Sequence, residues 1–214
     1  DFIKLISYIM LAIMVLSRTG IEDFNFNVDF RLLSALFLSY LIPIVMYHNK
    51  EKYSVNDAFY LIAGLFFVGM SFNLLILIRN TSLEYLIYLF LITIITDTYA
   101  YFTGSLIGKT KLLESISPNK TWEGSIGGTI FGVLVGSVFY HVVIDASLPI
   151  YVVVLMTLFL SIIGQFGDLV FSAIKRYFGK KDFSNIMPGH GGILDRLDSI
   201  IFVMLGFMFF ISII

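Results

Sequence analysis

The chain contains no cysteine and few charged residues. The absence of cysteine excludes disulfides, thiolate nucleophiles and Cys-ligated zinc or iron, and it leaves the redox compartment undetermined. Only 14% of the 214 residues are charged, and 58% are hydrophobic, with a mean hydropathy of +0.91. A soluble domain is about a quarter charged. The composition therefore predicts an integral membrane protein. Because the net charge is only −1, the placement of the charges must carry any argument about partners.

No low-complexity tract, soluble domain or convincing internal repeat interrupts the apolar runs. A spanning helix needs about 20 mostly apolar residues. The candidate spans are Phe2–Leu16, Leu32–Tyr47, Ala58–Ile78, Leu83–Phe102, Ser125–Ile144, Ile150–Phe171 and Leu197–Ile214. We predict an all-α, polytopic membrane helix bundle with about seven transmembrane helices in this fragment. We expect one membrane domain over 1–214, with generic spans over 1–96 and the candidate functional residues over 97–214. Since the chain opens with Asp1 inside an apolar run, we expect that some N-terminal sequence is missing.

The basic residues are distributed unequally between the two sides of the membrane. With a cytoplasmic N-terminus, eleven Lys and Arg residues lie on the cytoplasmic side and three on the other. This bias predicts that both long polar loops, Gly104–Gly124 and Ser172–Arg196, are cytoplasmic. It also places Asp97, Asp168 and Asp198 near the cytoplasmic ends of their helices. Three separate segments thus meet at one membrane face.

Two acidic residues lie beyond the first turn of a predicted span, Asp97 and Asp168. A charge there costs roughly 2.5–3.5 kcal/mol on insertion scales and indicates a functional site. The alternative is an acid that caps a helix or reaches the interface. The Asp168 helix carries a glycine, a carboxylate, a hydroxyl and two cations on one stripe: Gly164, Asp168, Ser172, Lys175 and Arg176. A metal at the carboxylate and phosphates at the cations fit this layout.

A glycine-rich turn, PGHGG at 188–192, precedes Asp195, Arg196 and Asp198 at the start of the last span. Glycines let the backbone approach an anion, and the following helix N-terminus favours negative charge. Carboxylates without cysteine suit a hard cation such as Mg²⁺. Helix capping is the alternative for the two acids, and it accounts for one of them. It does not explain His190 and Arg196.

The other loop ends in SPNKTWEG at 117–124. Lys120 and the neighbouring hydroxyls can hold phosphate, although the glycine spacing is not that of a Walker loop. Glu123 receives no assigned role. Beyond this loop a glycine ladder recurs at every fourth residue: Gly124, Gly128, Gly132 and Gly136. The ladder predicts a flat helix face for close packing and permits a helix-mediated homodimer.

These motifs resemble those of the phosphatidate cytidylyltransferase (CDP-diacylglycerol synthase) family. The resemblance rests on SAIKR, KKD and PGHGGILDRLD within 172–198, GD at 167–168, DTYAYFTGSLIG at 97–108 and SPNKTWEG at 117–124. It covers about the C-terminal half of the chain, and the longest block is highly specific. One mild departure is Met187 before the proline, where the family usually has Leu, Ile or Phe.

The resemblance implies that CTP and phosphatidic acid give CDP-diacylglycerol and pyrophosphate with Mg²⁺. It also implies a paired metal site, so a second cation is possible in addition to Mg²⁺. We predict Asp168 and Asp195 as metal ligands, then Asp198, with Asp97 as a further ligand or an orienting residue. The predicted substrate-binding residues are Ser117, Lys120, Ser172, Lys175, Arg176, Lys181, His190 and Arg196. A phosphate monoester is itself a nucleophile, which agrees with the absence of a nucleophile–histidine pair.

Two other functions are compatible with parts of the sequence. Another CTP-dependent isoprenoid-lipid cytidylyltransferase or a polyprenol kinase would share the phosphate-binding loops and acidic helix ends. An ion-coupled transporter would use Asp97 and Asp168 as ion sites, but transporters usually show paired repeats and broken helices. We expect a bacterial inner membrane location, an active site that faces the cytoplasm, membrane-lipid substrates and no nucleic-acid partner.

Overall fold

A computed structural model of the chain describes residues 2–16, 30–47, 53–186 and 191–210. These residues form seven α-helices and one β-hairpin. In chain order the elements are α1 (Phe2–Leu16), α2 (Phe30–Tyr47), α3 (Val55–Thr81), α4 (Leu83–Ile107), β1 (Lys111–Leu113), β2 (Ser117–Thr121), α5 (Trp122–Phe139), α6 (Ile150–Tyr177) and α7 (Leu194–Phe207). Five of the helices are long and apolar enough to cross a membrane. The structure confirms the predicted polytopic helical membrane protein.

The hairpin and the helix ends differ from the sequence prediction. β1 and β2 pair antiparallel inside the predicted loop, with Lys111 opposite Thr121. Strands this short do not show a readable period-two pattern. Helices α4 and α6 continue to Ile107 and Tyr177, because helical hydrogen bonding persists through polar residues after the apolar run ends. The two helices therefore carry polar side chains past the predicted spans.

The chain divides into two compact units, Asp1–Thr81 and Ser82–Ile214. In the first unit, α1, α2 and α3 pack around buried Met10, Leu36 and Ile62. The Asn73 amide on α3 donates hydrogen bonds of 3.1 Å to the carbonyls of Met14 and Val15. These carbonyls belong to the last turn of α1, where a helix leaves its C=O groups without intrahelical partners. A neutral side chain thus caps α1.

In the second unit, α4 and α5 pack with almost no side-chain layer between them. A Cβ added at Gly124 would lie 2.5 Å from the Ala100 carbonyl oxygen, and one at Gly128 would collide with the Thr96 carbonyl oxygen. The glycine face therefore lies on the α4 backbone, as the ladder predicted. A short π-helical turn, Tyr140–Ile144, continues α5.

Buried hydroxyls join α4 to α6 within the second unit. The Tyr88 and Thr157 hydroxyls are 2.7 Å apart, and those of Thr96 and Ser161 are 2.9 Å apart. Each such bond between membrane helices contributes about 0.6 kcal/mol. These contacts fix the helices that carry Asp97 and Asp168.

Candidate active site

A polar cavity of about 740 Å³ lies among α4, the hairpin, α6 and the start of α7. Its charged lining residues come from all of these elements and from the segment before α7. They are Asp97, Asp168, Asp182, Asp195 and Asp198, together with Lys120, Lys175, Lys181 and Arg196. Among the residues that the structure describes, carboxylates outnumber cations in this lining by five to four. Every one of these residues falls between Asp97 and Asp198 in the sequence.

Asp168 is the carboxylate that contacts the hairpin. Lys120 of β2 forms an ion pair with its Oδ2, and both side chains are 28% exposed. The Ser172 hydroxyl, one helical turn further along α6, donates to Asp168 Oδ1 at 3.3 Å. The antiparallel pairing of β1 with β2 therefore brings a cation from one loop onto the membrane acid of another segment. Asp168 remains open to the cavity, where a ligand can reach it.

Asp195 and Lys175 form a second, more deeply buried ion pair. The Lys175 Nζ donates to Asp195 Oδ1 at 2.8 Å, and the two side chains are only 11% and 6% exposed. The backbone N–H groups of Phe183 and Gly192 each donate to Asp195 Oδ2 at 2.9 Å. Burial by itself raises the pKa of Asp195, but the Lys175 and backbone hydrogen bonds outweigh it, so the pKa lies below its ordinary value.

This arrangement makes Asp195 the point at which the segment after α6 is held against the start of α7. The neighbouring Gly191 has a φ of +78°, a conformation that side chains other than glycine rarely adopt. A Cβ at Gly191 would also lie 3.0 Å from Asp195 Oδ2. The glycine in this turn is therefore required both by the backbone angle and by the approach to the carboxylate.

Asp97 and Asp198 lie deeper, beside Ser199. The Ser199 backbone N–H donates to Asp198 Oδ1 at 2.8 Å. The Ser199 side chain lies within hydrogen-bonding range of Asp97. Both acids interact electrostatically with Asp168. Three carboxylates thus repel one another at the base of the cavity, in surroundings of low dielectric. Among the residues that the structure describes, however, no three acidic or histidine side chains are grouped closely enough to hold one metal ion between them.

The structure brings most of the predicted site residues into one place. The residues that line the cavity are Asp97, Asp168, Asp195, Asp198, Ser117, Lys120, Lys175, Lys181 and Arg196. Ser172 contacts the cavity through Asp168. Arg176 does not line it, because its guanidinium donates to the Lys180 carbonyl at 3.3 Å beyond the end of α6. His190 lies outside the described residues.

Glu123 has a structural position at the base of the hairpin. Its carboxylate accepts hydrogen bonds from the Thr110 backbone N–H at 3.1 Å and from the Thr110 hydroxyl at 2.9 Å. This fastens the chain before β1 to the first turn of α5. It therefore supports the strand that carries Lys120.

Sequence reasoning missed several polar residues of the lining. They are Ser105, Asn119, Asp182, Ser125, Gln165 and Ser199. Gln165 had a usable signal, since it is an amide inside an otherwise apolar span. Asp182 follows Lys181 in the KKD motif, and Asn119 precedes Lys120, so both lie next to residues that were predicted. Ser199 had no signal beyond its place after Asp198.

The fold and the cavity define a polytopic membrane protein with a charged cavity at its helix ends. The family model described as the cytidylyltransferase family matches residues 2–214. The chain belongs to the cytidylyltransferase family.

Two bacterial relatives match most of the chain. A protein of Staphylococcus haemolyticus named phosphatidate cytidylyltransferase is 41% identical over 210 residues, which is 95% of this chain and 79% of that protein. A protein of the same name from Staphylococcus saprophyticus is 41% identical over 176 residues, 82% of this chain and 67% of that protein. This similarity extends beyond the C-terminal motifs into the N-terminal helices.

Proposed function

We propose that this protein is a phosphatidate cytidylyltransferase, which converts CTP and phosphatidic acid into CDP-diacylglycerol and pyrophosphate. The observation that carries the proposal is the single cavity in which carboxylates and cations from α4, the hairpin, α6 and α7 converge. Membership of the family and the names of the relatives support the same reaction. We propose that the site faces the cytoplasm at a bacterial inner membrane; the loop charges support the orientation, and the bacterial sources of the relatives support the membrane.

The reaction brings two anions together. A phosphate oxygen of the lipid forms a bond to the α-phosphorus of CTP, and the bond from that phosphorus to the oxygen bridging the α- and β-phosphates breaks. Pyrophosphate leaves with the electron pair of that bond. Since the lipid phosphate is already ionised, no side chain has to remove a proton from it. The main requirement is the neutralisation of charge around the phosphorus.

The residues of the cavity fit a magnesium ion in their donor chemistry. The carboxylates offer oxygen ligands without sulfur, as a hard cation prefers. The described lining residues carry five carboxylates and four cations, so a bound cation would offset their excess of negative charge. Asp168 would hold the ion together with Asp195 and Asp198, and Asp97 would be a further ligand or orient it. Bound Mg²⁺ neutralises phosphate charge and aligns the reacting oxygens, and a paired site would take a second cation.

The cations of the lining would bind the phosphates. Lys120 enters on the hairpin, with the Ser117 hydroxyl on the same strand, and Lys181 and Arg196 enter from the segments around α7. Lys175 is fixed by Asp195, so it would present a positioned charge at little entropic cost. Asp195 Oδ1 accepts the Lys175 hydrogen bond and keeps a lone pair for a cation. Roles for Ser172, Arg176 and His190 stay predictions, as does the homodimer.

The test is CTP- and Mg²⁺-dependent formation of CDP-diacylglycerol by the purified protein in detergent. We expect Asp168→Asn to lower kcat by at least about a hundredfold, because it would weaken the binding of the cation that neutralises charge in the phosphoryl transition state. The matched control is Asp145→Asn, at an acid that binds Ser147 in the loop before α6. It should keep parent activity. An inactive parent would reject phosphatidic acid as substrate and direct the assay to polyprenol phosphates, while an active Asp168→Asn would reject the site assignment.

A further inference from the structure

An apolar groove of about 480 Å³ adjoins the polar cavity. Its walls are α5 and α6, and β1 covers one end with Leu112 and Leu113. The α5 wall presents Trp122, Ile126 and Ile130, which are spaced four residues apart and are 53–58% exposed. This spacing places the three side chains in one row along the helix. The groove is thus a continuous apolar channel that runs along the helix axes.

The polar cavity and the apolar groove share part of their lining. Leu112, Ser125 and Gln165 line both. Gln165 is 9% exposed, its Oε1 accepts the Ser125 hydroxyl at 2.6 Å, and its Nε2 donates to the Thr129 hydroxyl at 2.8 Å. This bridge ties α5 to α6 and keeps the two helices at a fixed separation along the groove. A molecule that occupies both spaces passes this junction.

The direction of the groove follows from the two helices. Trp122 and Leu169 lie at the end that meets the polar cavity, because Asp168 and Lys120 are their near neighbours in sequence. Ile130 and Ile162 lie at the far end. From Trp122 to Ile130 the helix rises by about 12 Å. One leaflet of hydrocarbon is about 15 Å thick, so the groove has nearly the depth that an acyl chain occupies in its own leaflet.

We infer that the α5–α6 groove holds an acyl chain of the phosphatidic acid whose phosphate lies in the polar cavity. The inference rests on the proposed function. The shared lining indicates the occupant: a lipid has a charged end and an apolar end, and here a charged space adjoins an apolar one, with Leu112, Ser125 and Gln165 lining both. A bulk lipid or a helix of a second copy would fill the groove without using the polar cavity. Since the bilayer is as apolar as the groove, the groove contributes position rather than hydrophobic affinity.

The experiment fills the far end of the groove by Ile130→Trp and compares two lipids. Dipalmitoyl phosphatidic acid reaches Ile130 from the junction, whereas dihexanoyl phosphatidic acid is too short to do so. With both lipids in dodecyl maltoside micelles at saturating CTP, we expect kcat/KM for the dipalmitoyl lipid to fall by at least about tenfold, the scale on which a filled apolar pocket discriminates substrates. The dihexanoyl lipid should keep parent kcat/KM within about twofold, which also shows that the variant is folded.

Ile94→Trp is the matched control, because Ile94 lies on α4, is 58% exposed like Ile130 and does not line the groove. This control should leave kcat/KM for both lipids unchanged. Equal kcat/KM for the dipalmitoyl lipid in Ile130→Trp and the parent would overturn the inference. So would an equal loss for both lipids, or a change of oligomeric mass without chain-length dependence, which would assign the groove to a second copy. A parent that converts neither lipid would instead contradict the proposed function.

Discussion

The two compact units both bury polar side chains among apolar helices, and they use them differently. In the first unit the partners are neutral and each group is satisfied locally: the Tyr53 hydroxyl donates to the Tyr40 carbonyl at 3.0 Å, and the Tyr40 hydroxyl donates to Ser7 Oγ at 2.8 Å. In the second unit, acids and lysines face a cavity. A buried polar group alone therefore does not indicate a site. Several charges that converge on one space do.

The difference lies in what the folded chain leaves incomplete. In these neutral hydrogen bonds of the first unit, donors and acceptors within the protein satisfy one another, so they do not need a ligand. In the second unit, Asp97, Asp168 and Asp198 repel one another, and the charges in the described lining do not balance. Carboxylates that repel one another are stabilised by any cation that binds near them. The comparison can be tested by changing matched residues in the two units.

The largest effect is expected at the buried ion pair of the second unit. Lys175→Met leaves the Asp195 carboxylate buried without its cation, and breaking such a pair from one side costs about 3–5 kcal/mol of unfolding free energy. The free energy of unfolding is measured by titrating the protein in detergent with dodecyl sulfate and following its helix content by circular dichroism. Lys181→Met is the control, since this exposed lysine should change stability by less than about 0.5 kcal/mol.

The double variant Lys175→Met with Asp195→Asn separates stability from chemistry. The amide oxygen still accepts the N–H groups of Phe183 and Gly192, so most of the lost stability should return. Activity should not return, because the positioned cation and the carboxylate are both gone. A Lys175→Met protein as stable as the parent would show that the pair contributes no more than a neutral contact of the first unit.

A smaller effect is expected at the glycines. Gly128→Ala puts a Cβ onto the α4 backbone, 2.8 Å from the Ala100 Cβ and closer to the Thr96 carbonyl oxygen. Forcing the helices apart should cost about 1–3 kcal/mol. Gly64→Ala, on α3 of the first unit, meets nothing within 4 Å and should gain up to about 1 kcal/mol from helix propensity. The same dodecyl sulfate titration compares the unfolding free energies of the two variants. Equal changes in the two would contradict the close α4–α5 packing.

Much of this molecule could be predicted from the sequence because hydrophobic runs and motif spacing are local signals. The spans, the Asp168–Lys175 stripe and the glycine face all depend on one helix at a time. Contacts between segments could not be predicted in that way. The Lys120–Asp168 pair requires the hairpin to fold over α6, and a three-residue strand gives no periodic signal.

Arg176 shows that helix periodicity alone does not fix where a side chain close to a helix end lies. On an ideal helix it shares a stripe with Asp168, but α6 ends at Tyr177 and the chain then turns through Gly179, whose φ is +63°. The turn presents the Lys180 carbonyl to the Arg176 guanidinium. A glycine just past a helix end is a common stop signal, so this outcome could have been inferred from the sequence. The groove between α5 and α6 could not, since it depends on how two helices are spaced.

The smallest effect is expected at Asn73, the neutral cap of α1 in the first unit. Asn73→Leu removes two hydrogen bonds of 3.1 Å to the Met14 and Val15 carbonyls and should cost about 1 kcal/mol, because membrane hydrogen bonds average about 0.6 kcal/mol each. Ser71→Ala is the control, since the Ser71 hydroxyl donates to the Phe67 carbonyl at 2.7 Å within its own helix. Neither should change kcat/KM for CTP. If Asn73→Leu lowered kcat/KM at unchanged stability, the first unit would take part in the reaction. Its buried polar groups would then not serve stability alone.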